Sequence, residues 1–297
     1  MRITNETIKE GAGILLKESV GFEFLGPLDN NLSNTLGFIE DEKYLANLSS
    51  NKNISGVFVT KELSLKITDR TTTKIICDEP RYYFYLLFNY LAKKNYKKKP
   101  SLIHPSATIH PSAFISDYNV QIGENVVIGP HVAILSDVIV GNNCVVKAGT
   151  VLGCDDAEEK RTSRGLLHIF HDGMLIIGDQ TEIGANCTID KGFSYKNTVI
   201  GNGTKIANTA YIAHSVHVGN GCLICACKIC GSAVIHDNVR INPGAVIKDQ
   251  ITVGEGAVVS IGSVVVRSVP ANQKVTGNFA IEHKKFIYEH AKRMIDP

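Results

Sequence analysis

Aliphatic residues recur at every sixth position through much of this 297-residue chain. One run starts at Ile122 and continues at residues 128, 134, 140, 146 and 152, and similar runs extend to Val265. A period of six matches neither the 3.6-residue period of an α-helix nor the alternation of a flat strand. It is typical of short strands joined by tight corners, three of which close one coil of about 18 residues. The pattern therefore predicts a mainly β fold, a left-handed parallel β-helix of about eight coils within residues 101–270.

Two details of the repeat lead to specific expectations. A five-residue step separates Val218 from Leu223, and the period of six resumes at Ile229. This phase predicts that Leu223 points into the core. Glycine follows many of the aliphatic positions, as in Ile200-Gly201. We expect these glycines to relieve backbone strain at the corners.

Other segments flank or interrupt the repeat. Residues 1–98 predict a small α/β domain, in which GVFVTKEL forms a strand and residues 82–91 form a helix that starts near Pro80. Residues 271–297 predict a C-terminal α-helix whose apolar side chains pack on the coils or on a neighbour. The stretch 153–174 is predicted to be a long loop without a strand pattern, either a lid over a site or a surface excursion.

Bulk properties exclude several classes of protein. A net charge of +2 creates no strong field, so we expect no nucleic acid partner. No apolar run approaches the roughly 20 residues of a membrane-spanning helix, and the N-terminus is polar. We therefore expect no membrane insertion and a cytoplasmic location, in which the eight Cys are reduced thiols.

Four of these cysteines have a spacing that also occurs in zinc sites: Cys222, Cys225, Cys227 and Cys230. An extended segment sends alternate side chains to opposite faces, whereas a zinc ion needs four sulfurs that converge. We therefore interpret them as small side chains that fill a narrow core. We predict no metal site and no permanently bound cofactor.

His214 is the most notable polar residue of the repeat, since it lies two positions after the inward-facing Ile212. An imidazole is suited to take a proton from an amine that attacks a thioester. His217 is the weaker candidate for this role, and a corner histidine that only binds backbone is the alternative. Because stacked aliphatic side chains leave no internal pocket, we expect the site to lie between the subunits of a homotrimer.

The segment IGANCTIDKGFSYKNTVIGNGTKIANTAYIAHSVHVG (183–219) resembles the UDP-3-O-acylglucosamine N-acyltransferases of lipid A synthesis. LGFIEDEKYLANL (36–48) is similar to a stretch of the same family. The resemblance implies a homotrimeric enzyme that moves an acyl group to the amino group of a nucleotide-linked amino sugar, with acyl-CoA or an acyl carrier protein as donor. It assigns the general base to His214 and the N–H that holds the oxyanion to Gly231.

Further site residues are predicted alongside this pair. In the first domain, the family's uracil-binding positions fall on Phe38, Asp41 and Tyr44, so the resemblance implies that residues 1–98 bind the nucleotide sugar. The alternative is that these three residues serve ordinary core packing. We also predict that Asn208 contacts the substrate and that Gly244 and Gly262 contact the acyl donor.

Departures from the family pattern leave the substrate open between lipid A and a surface glycan such as O-antigen. Asp41 replaces an Asn of the family, and Ala207 replaces an Asp. Gln250 lies near a position where the family has a second His. The segment VPANQKVTGNFA (269–280) resembles CoA-dependent sugar acetyltransferases. The alternative is a non-catalytic or zinc-binding trimeric β-helix protein, in which His214 and His217 would join His236, His168 or His171.

Overall fold

The computed structural model describes residues 2–29, 31–69, 71–194, 196–277 and 280–295. The chain divides into two compact units. The first contains residues 1–98, 157–172 and 193–195, and the second contains residues 99–156, 173–192 and 196–297. The predicted loop is therefore shared between the units, because its residues from 157 to 172 group with the N-terminal unit.

The N-terminal unit is a small α/β fold, as predicted. Its parallel four-stranded sheet consists of Phe24–Leu25, Thr35–Ile39, Ile54–Val59 and Thr73–Ile76, in this order. A second, antiparallel pair joins Ile3–Thr4 to Gly21–Phe22. The helices are Asn5–Ala12, Leu45–Ser50, Lys61–Ser64 and Pro80–Asn95, with a 3-10 turn at Glu42–Tyr44. GVFVTKEL is thus a strand only as far as Val59, where Thr60 caps the next helix.

The helix Pro80–Asn95 carries one wall of this unit's core. It starts with a proline in the first turn, where the missing N–H costs nothing. Phe84, Leu87 and Phe88 on its inner face are buried together with Phe58 of the sheet. The predicted helix over 82–91 is confirmed, and it extends beyond both predicted ends.

The stretch predicted to lack strands instead forms an antiparallel hairpin of Glu159–Thr162 and Gly165–His168, so this expectation was wrong. The tip of the hairpin is fixed to the start of the long helix, because Arg164 binds Asp78 at 2.9 Å and Ser163 binds both carboxylate oxygens of Glu79. Its base is held by Asn89, which donates to the carbonyl of His168. The hairpin is therefore an anchored part of the N-terminal unit.

The second unit is a parallel β-helix with three flat sheets, which we name faces A, B and C. Face A contains Leu102–Ile103, Val120–Ile122, Val138–Val140, Leu175–Ile177, Thr198–Ile200, His217–Val218, Val234–Ile235 and Thr252–Val253. Face B contains Thr108–Ile109, Val127–Ile128, Val145–Val146, Glu182–Ile183, Lys205–Ile206, Leu223–Ile224, Arg240–Ile241, Val258–Val259 and Lys274–Val275. Face C contains Phe114–Ile115, Ala133–Ile134, Val151–Cys154, Thr188–Asp190, Tyr211–Ile212, Lys228–Ile229, Val246–Ile247 and Val264–Val265. The repeat fold predicted from the period of six is confirmed.

Each hexapeptide turns two side chains into the core rather than one. The aliphatic residue is in most coils preceded, two positions earlier, by a second buried residue that is often smaller, as in Ala210 before Ile212. Cys222 and Cys227 occupy this second position and are 1% and 2% exposed. All four cysteines of the cluster are free thiols. Cys222 and Cys227 thus fill the narrow core, as predicted. Cys225 and Cys230 are only partly buried and lie outside the core cluster, so the packing prediction was wrong for these two.

The phase assigned to one coil was wrong. Leu223 is 36% exposed on the outer surface, whereas Ile224 is fully buried and pairs in register with Ile206. The five-residue step therefore lies between Ile224 and Ile229, at a corner where Ala226 has a φ of +36°. The period alone did not distinguish two adjacent aliphatic residues, of which only one faces inward.

The glycines after the aliphatic positions have a different role from the one expected. Gly201 does not adopt a left-handed φ; a Cβ on it would lie 2.4 Å from the carbonyl carbon of Gly219 in the next coil. The left-handed residue comes two positions later, at Gly203 with a φ of +66°. Glycine after the aliphatic residue thus allows consecutive coils to approach closely, and the corner strain falls elsewhere.

A C-terminal helix spans His283–Ile295, as predicted. Phe286 and Ile287 of its expected packing face are both 51% exposed within the chain. The side chains of Ala291 and Ile295, and residues 278, 279, 296 and 297 of the predicted segment, lie outside the described residues. None of the helices in the described ranges is long and apolar enough to cross a membrane.

Candidate active site

His214 and Gly231 lie one above the other where face C turns into face A. The strands Tyr211–Ile212 and Lys228–Ile229 pair in parallel register, and each of the two residues comes two positions after its strand. A Cβ built on Gly231 would lie 2.4 Å from both Cε1 and Nε2 of His214. The imidazole therefore occupies the space that a side chain at position 231 would need.

The backbone N–H of Gly231 differs from several N–H groups that lie two residues after a strand at the corner between faces A and B. The N–H of Asn202, also two residues after its strand, donates to Asn220 Oδ1 at 2.9 Å. The N–H of Asp179 donates to Asn202 in the same way. Among the residues that the structure describes, none accepts a hydrogen bond from the Gly231 N–H. This N–H is thus a donor available beside the His214 ring.

Asp156 is the acidic neighbour of His214. Its Oδ2 lies 3.6 Å from Nε2, and the two side chains are 25% and 12% exposed. Asp156 is the last residue of the β-helix before the chain leaves for the hairpin. Sequence reasoning missed it, because the repeat does not predict where an inserted segment turns its first side chains.

A second carboxylate, Asp190, is buried at the same corner one coil earlier. The Tyr211 hydroxyl donates to Asp190 Oδ2 at 2.7 Å. Burial raises the pKa of Asp190 to about 6, although the Tyr211 hydrogen bond opposes the shift and the charges of Asp156 and Asp155 add to it. Burial, followed by the hydrogen bond to Asp190, raises the pKa of Tyr211. Tyr211 therefore stays a neutral donor.

Lys191 is a buried cation held between two carboxylates. Its Nζ lies 3.0 Å from Asp137 Oδ2 and 3.2 Å from Asp155 Oδ1. Burial by itself lowers the pKa of Lys191, but Asp137 and Asp155 outweigh this effect and raise it. The ammonium thus stays charged and is engaged by these two carboxylates. Asp156 and Asp190 keep the surroundings of His214 acidic.

The raised pKa of Asp190 predicts a pH-dependent stability. A carboxyl whose folded pKa is about 6, above its ordinary value of 3.8, stabilises the fold fully below pH 3.8 and loses this contribution as the pH rises through 6. We expect Asp190→Asn to gain about 3 kcal/mol in free energy of unfolding relative to the wild type between pH 4 and pH 8. Denaturant unfolding at both pH values measures this. The same substitution at exposed Asp117 is the control, and parallel pH curves for Asp190→Asn and wild type would contradict the expectation.

The residues predicted to bind a base in the N-terminal unit have ordinary local roles. The ring of Phe38 packs 4.8 Å from Phe84 and 6.1 Å from Tyr85 between centroids. Asp41 caps the 3-10 turn by accepting from the Lys43 N–H, and hydrogen bonds from Lys43 hold the pKa of its carboxyl below the usual value. Tyr44 is 41% exposed, with the Lys43 ammonium 5.0 Å from its ring centroid. Their role in substrate binding stays a prediction.

Three other predicted residues lie at the corner between faces B and C, away from His214. The side chain of Asn208 accepts from the Ala185 N–H at 2.8 Å and so joins consecutive coils. Gly244 and Gly262 have φ values of +73° and +67°, and a Cβ on Gly244 would lie 3.7 Å from the Cα of Gly262. A single chain does not bring these residues together with His214, and their roles stay predictions.

The alternative histidines lie in other surroundings. His217 is exposed on face A. His168 binds Glu159 in the hairpin, and His171 is buried with its ring 5.3 Å from Phe193. Within the described parts of the chain, no three His, Cys, Asp or Glu side chains are grouped so that they would hold a metal ion.

The fold and this corner define a class of protein. Residues 119–154 match the family described as bacterial transferase hexapeptide (six repeats). These residues are therefore similar to the repeats of that transferase family.

More particularly, the chain is similar to UDP-3-O-acylglucosamine N-acyltransferases. One, from Methylobacterium sp. (strain 4-46), is 42% identical over 106 residues, which are 35% of this chain and 30% of the relative. Another, from Methylorubrum extorquens (strain PA1), is 35% identical over 144 residues, 48% of this chain and 41% of the relative. The chain thus spans less than half of the length of these relatives. The resemblance predicted from the sequence is confirmed over these stretches.

A solved UDP-N-acetylglucosamine acyltransferase from Bacteroides fragilis is 22% identical, with 66% of this chain and 86% of that chain covered. Its TM-score is 0.45.

Proposed function

We propose that this protein is an N-acyltransferase that moves an acyl group from a thioester to the amino group of a nucleotide-linked amino sugar. The observation that carries the proposal is the contact between His214 and Gly231. It brings a base and an available N–H donor together at one corner of the coil. The similarity to UDP-3-O-acylglucosamine N-acyltransferases supports this substrate class.

The proposed chemistry follows from these two groups. The acceptor amine attacks the thioester carbonyl, a C–N bond forms, and the Gly231 N–H donates to the resulting oxyanion. His214 takes a proton from the attacking nitrogen and returns it to the leaving sulfur as the C–S bond breaks. The products are an amide and a free thiol. Glycine at position 231 is required because any side chain there would collide with the imidazole.

The donor, the partner and the assembly are finer parts of the proposal. Acyl-CoA or an acyl carrier protein supplies the thioester, and no permanently bound cofactor takes part. A homotrimer would provide the groove for the acyl chain, because the interior of the coils is filled with aliphatic side chains. Phe38, Asp41, Tyr44 and Asn208 are proposed acceptor contacts, and Gly244 and Gly262 are proposed donor contacts.

The experiment that tests the function is thiol release from purified full-length protein. Each donor, acyl-CoA or acyl carrier protein, is combined with UDP-3-O-acylglucosamine or with UDP- and dTDP-linked amino-deoxy sugars. Release with acyl carrier protein and the first acceptor favours lipid A synthesis. Release with a short acyl-CoA and an amino-deoxy sugar favours a surface glycan, which the replacement of Asn by Asp41 supports. No release with any pair, together with stoichiometric zinc, favours the zinc-binding alternative.

A further inference from the structure

Asp156 lies on the side of the imidazole where the reaction takes place. In a base that a carboxylate orients, the carboxylate binds one ring nitrogen and the other nitrogen faces the substrate. Here the carboxylate faces Nε2, the same atom that lies against Gly231. A group that approaches Nε2 over Gly231 therefore also approaches Asp156.

The separation between the two side chains suits a small bridging group. The 3.6 Å from Nε2 to Oδ2 exceeds a hydrogen bond. A nitrogen atom placed about 2.9 Å from each forms a hydrogen bond to both. Because both side chains are largely buried, little water competes for this position.

The number of donors distinguishes an amine from a hydroxyl at this position. A neutral amine has two N–H donors and an ammonium has three, so the nitrogen serves His214 and Asp156 together. A hydroxyl has a single O–H donor, so one of the two acceptors, His214 or Asp156, receives no hydrogen bond from it. The arrangement of base and carboxylate therefore favours an amine.

The surroundings strengthen this preference. Tyr211 donates to Asp190 at 2.7 Å, and the charge of Asp156 contributes to the raised pKa of Asp190. The nearest buried cation, Lys191, is held by Asp137 and Asp155. Acidic groups thus surround the place where an amino sugar would arrive as an ammonium.

We propose that Asp156 binds the acceptor's amino nitrogen and so selects an amine over a hydroxyl. This inference rests on the proposed function. Asp156 accepts one N–H of the acceptor while Nε2 of His214 accepts another. The acceptor reacts as the neutral amine, so an acceptor that arrives as an ammonium first loses one proton to water. The nitrogen lone pair then attacks the thioester carbon, the proton that His214 accepts passes to the departing thiolate, and the N–H held by Asp156 remains in the amide product.

The test compares two acceptors that differ only in the attacked group, a UDP-linked glucosamine derivative and its glucose counterpart. With wild-type protein we expect transfer to the amine to dominate. Asp156→Asn should lower kcat/KM for the amine by about 10- to 100-fold, because a charge-assisted hydrogen bond is lost. The slow transfer to the hydroxyl should change by less than about threefold, so the amine-to-hydroxyl ratio collapses.

Asp117→Asn is the control, since this exposed carboxylate follows the first strand of face C and takes no part in the acidic group around His214. It should keep the amine-to-hydroxyl ratio of the wild type. An equal loss with both acceptors in Asp156→Asn would overturn the inference, because it would mean that Asp156 only positions His214. An unchanged ratio and rate would overturn it as well. Failure of the proposed function is separate, because wild-type protein would then release no thiol with either acceptor.

Discussion

Replacement of His214 by alanine is expected to lower the rate of acyl transfer by about 10²- to 10⁴-fold, the usual contribution of a general base. Among the described histidines, only His214 has its ring against Gly231. Its loss leaves the attacking nitrogen without a proton acceptor that can return the proton to the thiol. Thiol release with a verified donor and acceptor measures the effect.

His217→Ala is the matched control for this experiment. His217 lies three residues later, but it is exposed on face A and should tolerate the change with full activity. Circular dichroism and the elution volume of each variant check that the fold and assembly persist. A His214→Ala protein that transfers acyl groups at the wild-type rate would rule out the general-base role.

Replacement of Gly231 by alanine is expected to be nearly as damaging, with a loss of at least about 10²-fold in kcat. The added Cβ would lie 2.4 Å from Cε1 and Nε2 of His214, so the ring must move. The displaced base no longer shares a substrate position with the Gly231 N–H. A steady-state comparison of kcat and thermal stability separates a loss of chemistry from a loss of fold.

Gly203→Ala provides the contrast. No atom lies within 4 Å of a Cβ at this position, but its φ is +66°, so alanine is strained by about 1 kcal/mol without touching the site. For Gly203→Ala we expect lower stability and normal activity. For Gly231→Ala we expect lower activity with the stability largely kept. If both variants lose activity only in proportion to stability, the close contact has no catalytic meaning.

The architecture was predictable because a period of six requires many residues to agree. Aliphatic residues recur with this period so often between Ile122 and Val265 that one wrong assignment, Leu223 instead of Ile224, did not alter the predicted fold. The proximity of His214 and Gly231 also follows from the repeat, since residues about one coil apart stack on the same corner. Their spacing is 17 residues because the corner at Ala226 is one residue short.

The acidic part of the site was not predictable in this way. Asp156 comes two residues after the strand that ends at Cys154, and the period of six does not continue through this segment. Asp190 reads as a polar residue at a strand end, and only burial with Tyr211 shows its unusual titration. Asn208 is a similar case, because the sequence does not show that its side chain joins consecutive coils by accepting from the Ala185 N–H.

The position of the insertion has a consequence for how such proteins diversify. His214 and Gly231 are supplied by the repeat, whereas Asp156 is supplied by the segment that interrupts it. Under our proposal, transfer chemistry and acceptor choice are therefore encoded in different stretches of the gene. Exchange of the segment 155–172 between related proteins would change which nucleophile is accepted while the coils that perform the transfer stay intact.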